Sequence, residues 1–123
     1  MNDKAKVLVI DDEPDIVEIL SYNLGKEDYA VSKAYDGEEG LRIAQAELPD
    51  LIIMDVRMPG ISGIEACRKL KADELLKHIP ILFLTADSDE YTSMNAQEAG
   101  GEHFITKPIR PNILMGLVNE ILR

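Results

Sequence analysis

Three aspartates, a threonine and a lysine stand directly after four short apolar runs of this chain. The stretch "VLVIDDEP" at residues 7–14 passes from apolar residues to Asp11, Asp12 and Glu13; "LIIM" at 51–54 is followed by Asp55, "ILFL" at 81–84 by Thr85, and "HFIT" at 103–106 by Lys107. Carboxylates crowded at neutral pH repel one another unless a cation or a proton sits among them. An all-oxygen donor set with few protein ligands suits Mg²⁺, or Mn²⁺ in its place, which leaves water and phosphate oxygens to complete the coordination. Such an ion offsets the charge that develops on a transferred phosphoryl group, so the protein need supply little beyond positioning and electrostatics. Asp55, alone on its run, is then the candidate nucleophile for an aspartyl phosphate. Thr85 and Lys107 would each hold a phosphoryl oxygen.

These residues can meet only if the apolar runs share one sheet. With "YAV" at 29–31 there are five runs, and most are continuous rather than alternating, which predicts parallel strands covered on both faces. Helical patterns lie between them. Ile16, Leu20 and Leu24 form a stripe opened by Pro14, segments 37–47 and 63–72 read as helices, and Leu114, Leu117, Val118 and Ile121 repeat at three and four residues. The segment 89–99 is the poorest helix, with little besides Met94, Ala96 and Ala99 to bury before Gly100 and Gly101 stop it. Strict alternation predicts an α/β fold: a (βα)5 doubly wound parallel five-stranded sheet of flavodoxin-like order 2-1-3-4-5. All strand C-termini then lie on one edge, which gathers the five candidate residues at the crevice between strands one and three.

Composition sets the outer limits. The 123 residues match one domain, expected over 1–123, and hold no repeat, linker or apolar run of the roughly 18 residues that a membrane span needs. The opening "MNDKAK" lacks the apolar region of a signal peptide. A single cysteine, Cys67, excludes an internal disulfide and fits a reducing compartment, so the expected location is cytoplasmic. The net charge of −10 would repel a phosphate backbone, which argues against direct nucleic-acid binding.

The pieces "VLVIDDEPDI", "DLIIMDVRMPGISG", "ILFLTA" and "FITKPI", in this order across nearly the whole chain, resemble those of response regulator receiver domains, the phosphoacceptor halves of two-component signalling. The resemblance implies that Asp55 accepts a phosphoryl group from a histidine kinase or histidine phosphotransfer protein. Mg²⁺ would be held by Asp12, Asp55 and the backbone carbonyl of Arg57, with Asp11 acting mainly through water. It also implies a cis bond between Lys107 and Pro108, and a switch pair of Thr85 and Phe104 that responds to phosphorylation. Arg57 and Asp87 occupy positions that border the site mouth and tune phosphoryl lifetime in such domains, and as opposite charges they are expected to pair. Ile16, Ile19 and Pro108 would form the apolar patch where the kinase docks. The face of the fourth and fifth helices would carry the signal to an output domain or a phosphorylation-dependent homodimer. The chain would act as a signalling domain, catalysing only its own phosphorylation and dephosphorylation.

Several residues have plainer readings. Asp11 and Asp12 by themselves could cap the first helix, and Phe104 by itself is a core aromatic. Cys67 falls on a helix stripe with Ile64 and Leu70 and reads as packing; His78 and His103 lack partners for a ligand set. A phosphatase with an aspartyl intermediate would usually place nucleophile and second acid on one strand as D-x-D, whereas here the acids are adjacent on one strand and Asp55 stands on another. A flavin carrier of the same architecture would have a hydroxyl-rich phosphate loop instead of an acidic one. A phosphorylation-independent interaction module would not need all the acceptor residues this chain keeps.

Overall fold

The computed structural model describes residues 4–86 and 95–123. Strands and helices alternate: β1 (Lys6–Ile10), α1 (Pro14–Lys26), β2 (Ala30–Ala34), α2 (Gly37–Glu47), β3 (Leu51–Asp55), α3 (Gly63–Ala72), β4 (Ile81–Ala86), the helical residues 95–98 as α4, β5 (His103–Lys107) and α5 (Pro111–Leu122). All strand pairs are parallel, in the order β2-β1-β3-β4-β5 expected of the doubly wound sheet.

Alternation along each strand divides the apolar residues between two cores. Val7, Val9, Leu51, Ile53, Leu82 and Leu84 face α1 and α5, where Val17, Leu20, Leu24, Leu114 and Val118 cover them. Leu8, Ile10, Ile52, Met54, Ile81 and Phe83 face the other way, onto Ala44 of α2, Cys67 and Leu70 of α3, and Ala96 of α4. The continuous runs in β1, β3 and β4 thus reflect burial on both faces. Small residues on α2, α3 and α4 let those helices lie close to the bulky side chains of the sheet.

Helix starts follow local chemistry. Pro14 and Pro111 occupy first-turn positions of α1 and α5, where a missing N–H costs nothing. Asp36 caps α2 by accepting from the Glu39 N–H at 2.8 Å, and Ser62 caps α3 by accepting from the Glu65 N–H at 3.1 Å. After α4, the Gly101 N–H bonds back to the Ala96 carbonyl at 2.9 Å, with Gly100 at φ +111°, a conformation side chains rarely adopt.

The inner strands run slightly beyond their apolar runs, to Lys6 in β1, Asp55 in β3 and Ala86 in β4, and the edge strands differ as well. β2 runs through Ala34 rather than stopping at Val31, because an edge strand is half solvated and its Ser32 and Lys33 break the apolar run. β5 includes Lys107, which pairs with Ala86, so the lysine is the last strand residue rather than the first loop residue. Of the weak segment 89–99, only 95–99 falls within the described residues, so Met94 lies outside them; Ala96 and Ala99 are buried as expected.

Phe83 is fully buried and stacks on the half-buried Phe104, with ring centroids 5.9 Å apart and planes 22° from parallel. Phe83→Ala should lower the unfolding free energy by about 3–5 kcal/mol. Urea titration checks this, with Ile19→Ala as the exposed control expected to stay within about 0.5 kcal/mol of the native chain.

Candidate functional site

The C-terminal edge of the sheet gathers the residues that the sequence placed there. Asp11 follows β1, Asp55 ends β3 and pairs with Leu84, Thr85 is the next residue of β4 and pairs with Thr106, and Lys107 ends β5. Asp11, Asp55 and Thr85 are the buried polar or charged residues of the described chain, in a core that is otherwise apolar. Asp12 is the least buried of the three aspartates.

Lys107 ties the group together. Its Nζ stands 3.2 Å from Asp55 Oδ2, 3.4 Å from Asp11 Oδ2 and 3.2 Å from Glu13 Oε1. Asp11 Oδ1 accepts from the Glu13 N–H at 2.9 Å, and Asp55 Oδ1 accepts a long bond from the Arg57 N–H at 3.4 Å. Asp11 Oδ2 is buried without a hydrogen-bond partner. Glu13 is a contact the sequence reading did not single out. Its signal was the third acid of "DDE", which local sequence cannot separate from an ordinary acidic helix start.

Burial pushes the Asp11 carboxyl up to about 6; the Glu13 amide opposes it, the Asp55 charge adds to it, and Lys107 lowers it. Burial also raises Asp55, against the pull of Lys107 and the Arg57 amide and with a contribution from Asp12. For Lys107, burial works against the charged form, but Asp55, Asp11 and the hydrogen bond that the ammonium donates to Glu13 outweigh it and hold the ammonium above its ordinary value.

The arrangement has the chemistry of a divalent-cation site. One carboxylate oxygen from each of Asp11, Asp12 and Asp55 can be chosen so that all lie within 4.8 Å of one another, the only such group among the described residues. The donors are all oxygen, and Asp11 Oδ2 is a buried acceptor whose only partner among the described residues is the Lys107 ammonium at 3.4 Å, which leaves it able to take a cation. His78 and His103 belong to no such cluster among the described residues.

The backbone beside Asp55 is equally constrained. The Gly63 N–H bonds to the Val56 carbonyl at 2.8 Å, and a Cβ on Gly63 would fall 2.2 Å from the Asp55 carbonyl oxygen. Only glycine lets α3 begin this close to the strand end, which gives the second glycine of "MPGISG" a role that sequence alone did not reveal.

The remaining sequence candidates can be placed in turn. The Lys107–Pro108 bond is cis, as the resemblance implied. Arg57 is exposed; Asp87, its expected partner, lies outside the described residues. Ile16 is half-buried against the α1–α5 core, whereas Ile19 and Pro108 are exposed. Cys67 is buried, its thiol donates to the Ala99 carbonyl at 3.4 Å, and burial raises its pKa to about 11, so it packs and does not act as a thiolate.

A sheet of this order with acids, threonine and lysine at its carboxyl edge defines the response regulator receiver domains, and the model of that family matches residues 7–119: the chain belongs to it. Among curated relatives, the alkaline phosphatase synthesis transcriptional regulatory protein PhoP of Bacillus subtilis is 44% identical over 118 residues, which cover 96% of this chain and 48% of PhoP. The response regulator PleD of Caulobacter vibrioides is 40% identical over 119 residues, covering 97% of this chain and 26% of PleD. This chain therefore spans half or less of the length of those relatives. Of solved structures, the chemotaxis response regulator CheY4 of Vibrio cholerae superposes with a TM-score of 0.92 at 32% identity, covering 97% of this chain and 99% of that one. No helix among the described residues is long and apolar enough to cross a membrane.

The raised Asp11 carboxyl has a consequence for stability. Between the ordinary value of 3.8 and about 6 the folded chain holds a proton that the unfolded chain has lost, so stability falls as pH rises through this window and the cost persists above it. Asp11→Asn removes that cost. Without divalent cations the variant should be more stable than the native chain at pH 7 to 8, by about 1–3 kcal/mol, and the difference should vanish below about pH 4. Thermal melts across pH check this.

Proposed function

We propose that this receiver domain is a phosphorylation switch in which Asp55 takes the phosphoryl group of a phosphohistidine carried by a histidine kinase or histidine phosphotransfer protein. The observation that supports it best is the meeting of Lys107 Nζ with Asp55 Oδ2 at 3.2 Å inside a cluster of three carboxylates. A carboxylate oxygen of Asp55 forms a bond to phosphorus as the phosphorus–nitrogen bond breaks, and the imidazole leaves with the electron pair. Lys107 holds one phosphoryl oxygen by a charge-assisted hydrogen bond, and the Thr85 hydroxyl donates to another. Asp12, Asp55 and the Arg57 carbonyl are the groups that would hold Mg²⁺ or Mn²⁺, with Asp11 acting through water; when bound, the ion offsets negative charge on the phosphoryl oxygens.

Phosphorylation exchanges a carboxylate for a bulkier group with more charge and more acceptor oxygens. Thr85 follows that group, and Phe104, half-buried against Phe83, turns into the space that Thr85 vacates. The signal leaves by the face of α4, β5 and α5, toward an output domain or a second copy of the chain. Hydrolysis of the aspartyl phosphate resets the switch, and the chain catalyses no reaction besides its own phosphorylation and dephosphorylation. Ile16, Ile19 and Pro108 form the docking patch for the phosphohistidine partner, placed on the first helix and beside Lys107.

Intact-mass measurement after treatment with acetyl phosphate and Mg²⁺ should show one added phosphoryl group on the native chain and none on Asp55→Asn. Absence of uptake by both would leave an interaction module without phosphotransfer. Ile16→Ala should slow transfer from a phosphohistidine donor about tenfold or more while acetyl phosphate still loads Asp55, as read by the same measurement. Equal losses with both donors would remove the docking patch.

A further inference from the structure

Lys107 meets three carboxylates, and they are not equivalent. Asp11 and Asp55 are buried, and Asp11 is further tied by the backbone N–H of Glu13. Glu13 is different: its side chain is 61% exposed, yet its Oε1 accepts from Lys107 Nζ at 3.2 Å. Glu13 is the residue that caps α1 through its backbone carbonyl, but its side chain makes no capping bond, so its carboxylate is not needed to start the helix. Its carboxylate is spent on Lys107 instead.

Lys107 is largely buried, but the Glu13 end of this pair is open to solvent, which screens it, and the exposed side chain must be ordered to form it, so the pair contributes little net stability. The Glu13 bond to Lys107 can therefore open at small cost. The buried partners remain in place when it does. Resting on the reading of Asp55 as phosphoacceptor, we propose that Glu13 is a displaceable counter-ion of Lys107, holding the ammonium at the site mouth until a phosphoryl oxygen takes its place, and so setting how fast anionic donors load Asp55.

Two physical effects act in the same direction. The Glu13 carboxylate occupies one of the three ammonium donors, so a phosphoryl oxygen must compete for it. Its negative charge also stands beside the path of a negatively charged donor. With acetyl phosphate, the Asp55 oxygen bonds to phosphorus as the bond from phosphorus to the acetyl oxygen breaks, and acetate leaves with the electron pair. The phosphoryl oxygens stay negative throughout, so a charge beside Lys107 opposes the whole approach. Glu13 touches neither donor nor acceptor atoms in this scheme; it is a positioning residue acting through Lys107.

Glu13→Gln keeps the size of the side chain and removes its charge. At pH 7 with Mg²⁺ the variant should take up phosphoryl from acetyl phosphate about three to five times faster than the native chain at low ionic strength. Phosphoramidate, which carries less negative charge at this pH, should show a smaller gain. The advantage should shrink as added salt screens the exposed charge. Glu13→Asp, which retains the charge, should stay closer to the native rate. Two readouts do not depend on turnover: the Lys107 side-chain resonances should move in the untreated Glu13→Gln protein, and beryllofluoride, a mimic of the phosphoryl group, should bind the variant more tightly in the presence of Mg²⁺. Native-like rates and native-like beryllofluoride affinity for Glu13→Gln would overturn the inference while leaving Asp55 as acceptor. A gain indifferent to salt and to donor charge would also overturn it. Failure of the native chain itself to take up phosphoryl would remove the reading of Asp55, and this inference with it.

Discussion

The site at the carboxyl edge of the sheet is an imbalance of charge held in place by burial. Asp11 and Asp55 are removed from water, Asp12 and Glu13 stand beside them, and the ammonium of Lys107 is the cation that meets Asp11, Asp55 and Glu13. Burial alone would drive the two aspartates toward their neutral forms, and Lys107 opposes this without cancelling it, so both carboxyls remain above their ordinary values. An apolar core of this quality would be more comfortable without those charges. Buried carboxylates whose charge is not fully offset mark this edge as a site with a demand for further positive charge.

The rest of the fold serves that arrangement. Parallel strands bring residues far apart in the chain to one edge, and the register places Asp55 opposite Leu84, with Thr85 one residue further and Phe83 one residue before. The same strand that carries Thr85 beside Asp55 thus also carries the aromatic ring against which Phe104 stacks. The site residue and the aromatic packing are therefore neighbours along β4. The tight start of α3 at Gly63 constrains the backbone beside Asp55.

Much of this was legible in the sequence because its signals are local or periodic. Continuous apolar runs mark strands buried on both faces, and 10 to 13 residue amphipathic segments between them mark α1, α2, α3 and α5; the expected bounds of α2 and α3 match those observed. In a parallel sheet the residue at each strand's carboxyl end must share one edge, so Asp11, Asp55, Thr85 and Lys107 could be gathered without coordinates. Legibility weakened where burial is partial. β2 and β5 are edge strands, and their mixed composition hid two of their ends.

The sequence by itself determined which groups reach the carboxyl edge, because strand alternation and chain direction leave no other place for them. Tertiary structure alone decided which of the acids Lys107 meets, that exposed Glu13 joins buried Asp11 and Asp55 around it, and that Gly63 must lie against the Asp55 backbone. Those features depend on distances between residues from 52 to more than 94 positions apart in the chain, or on the path of a loop, and neither periodicity nor residue type encodes a distance.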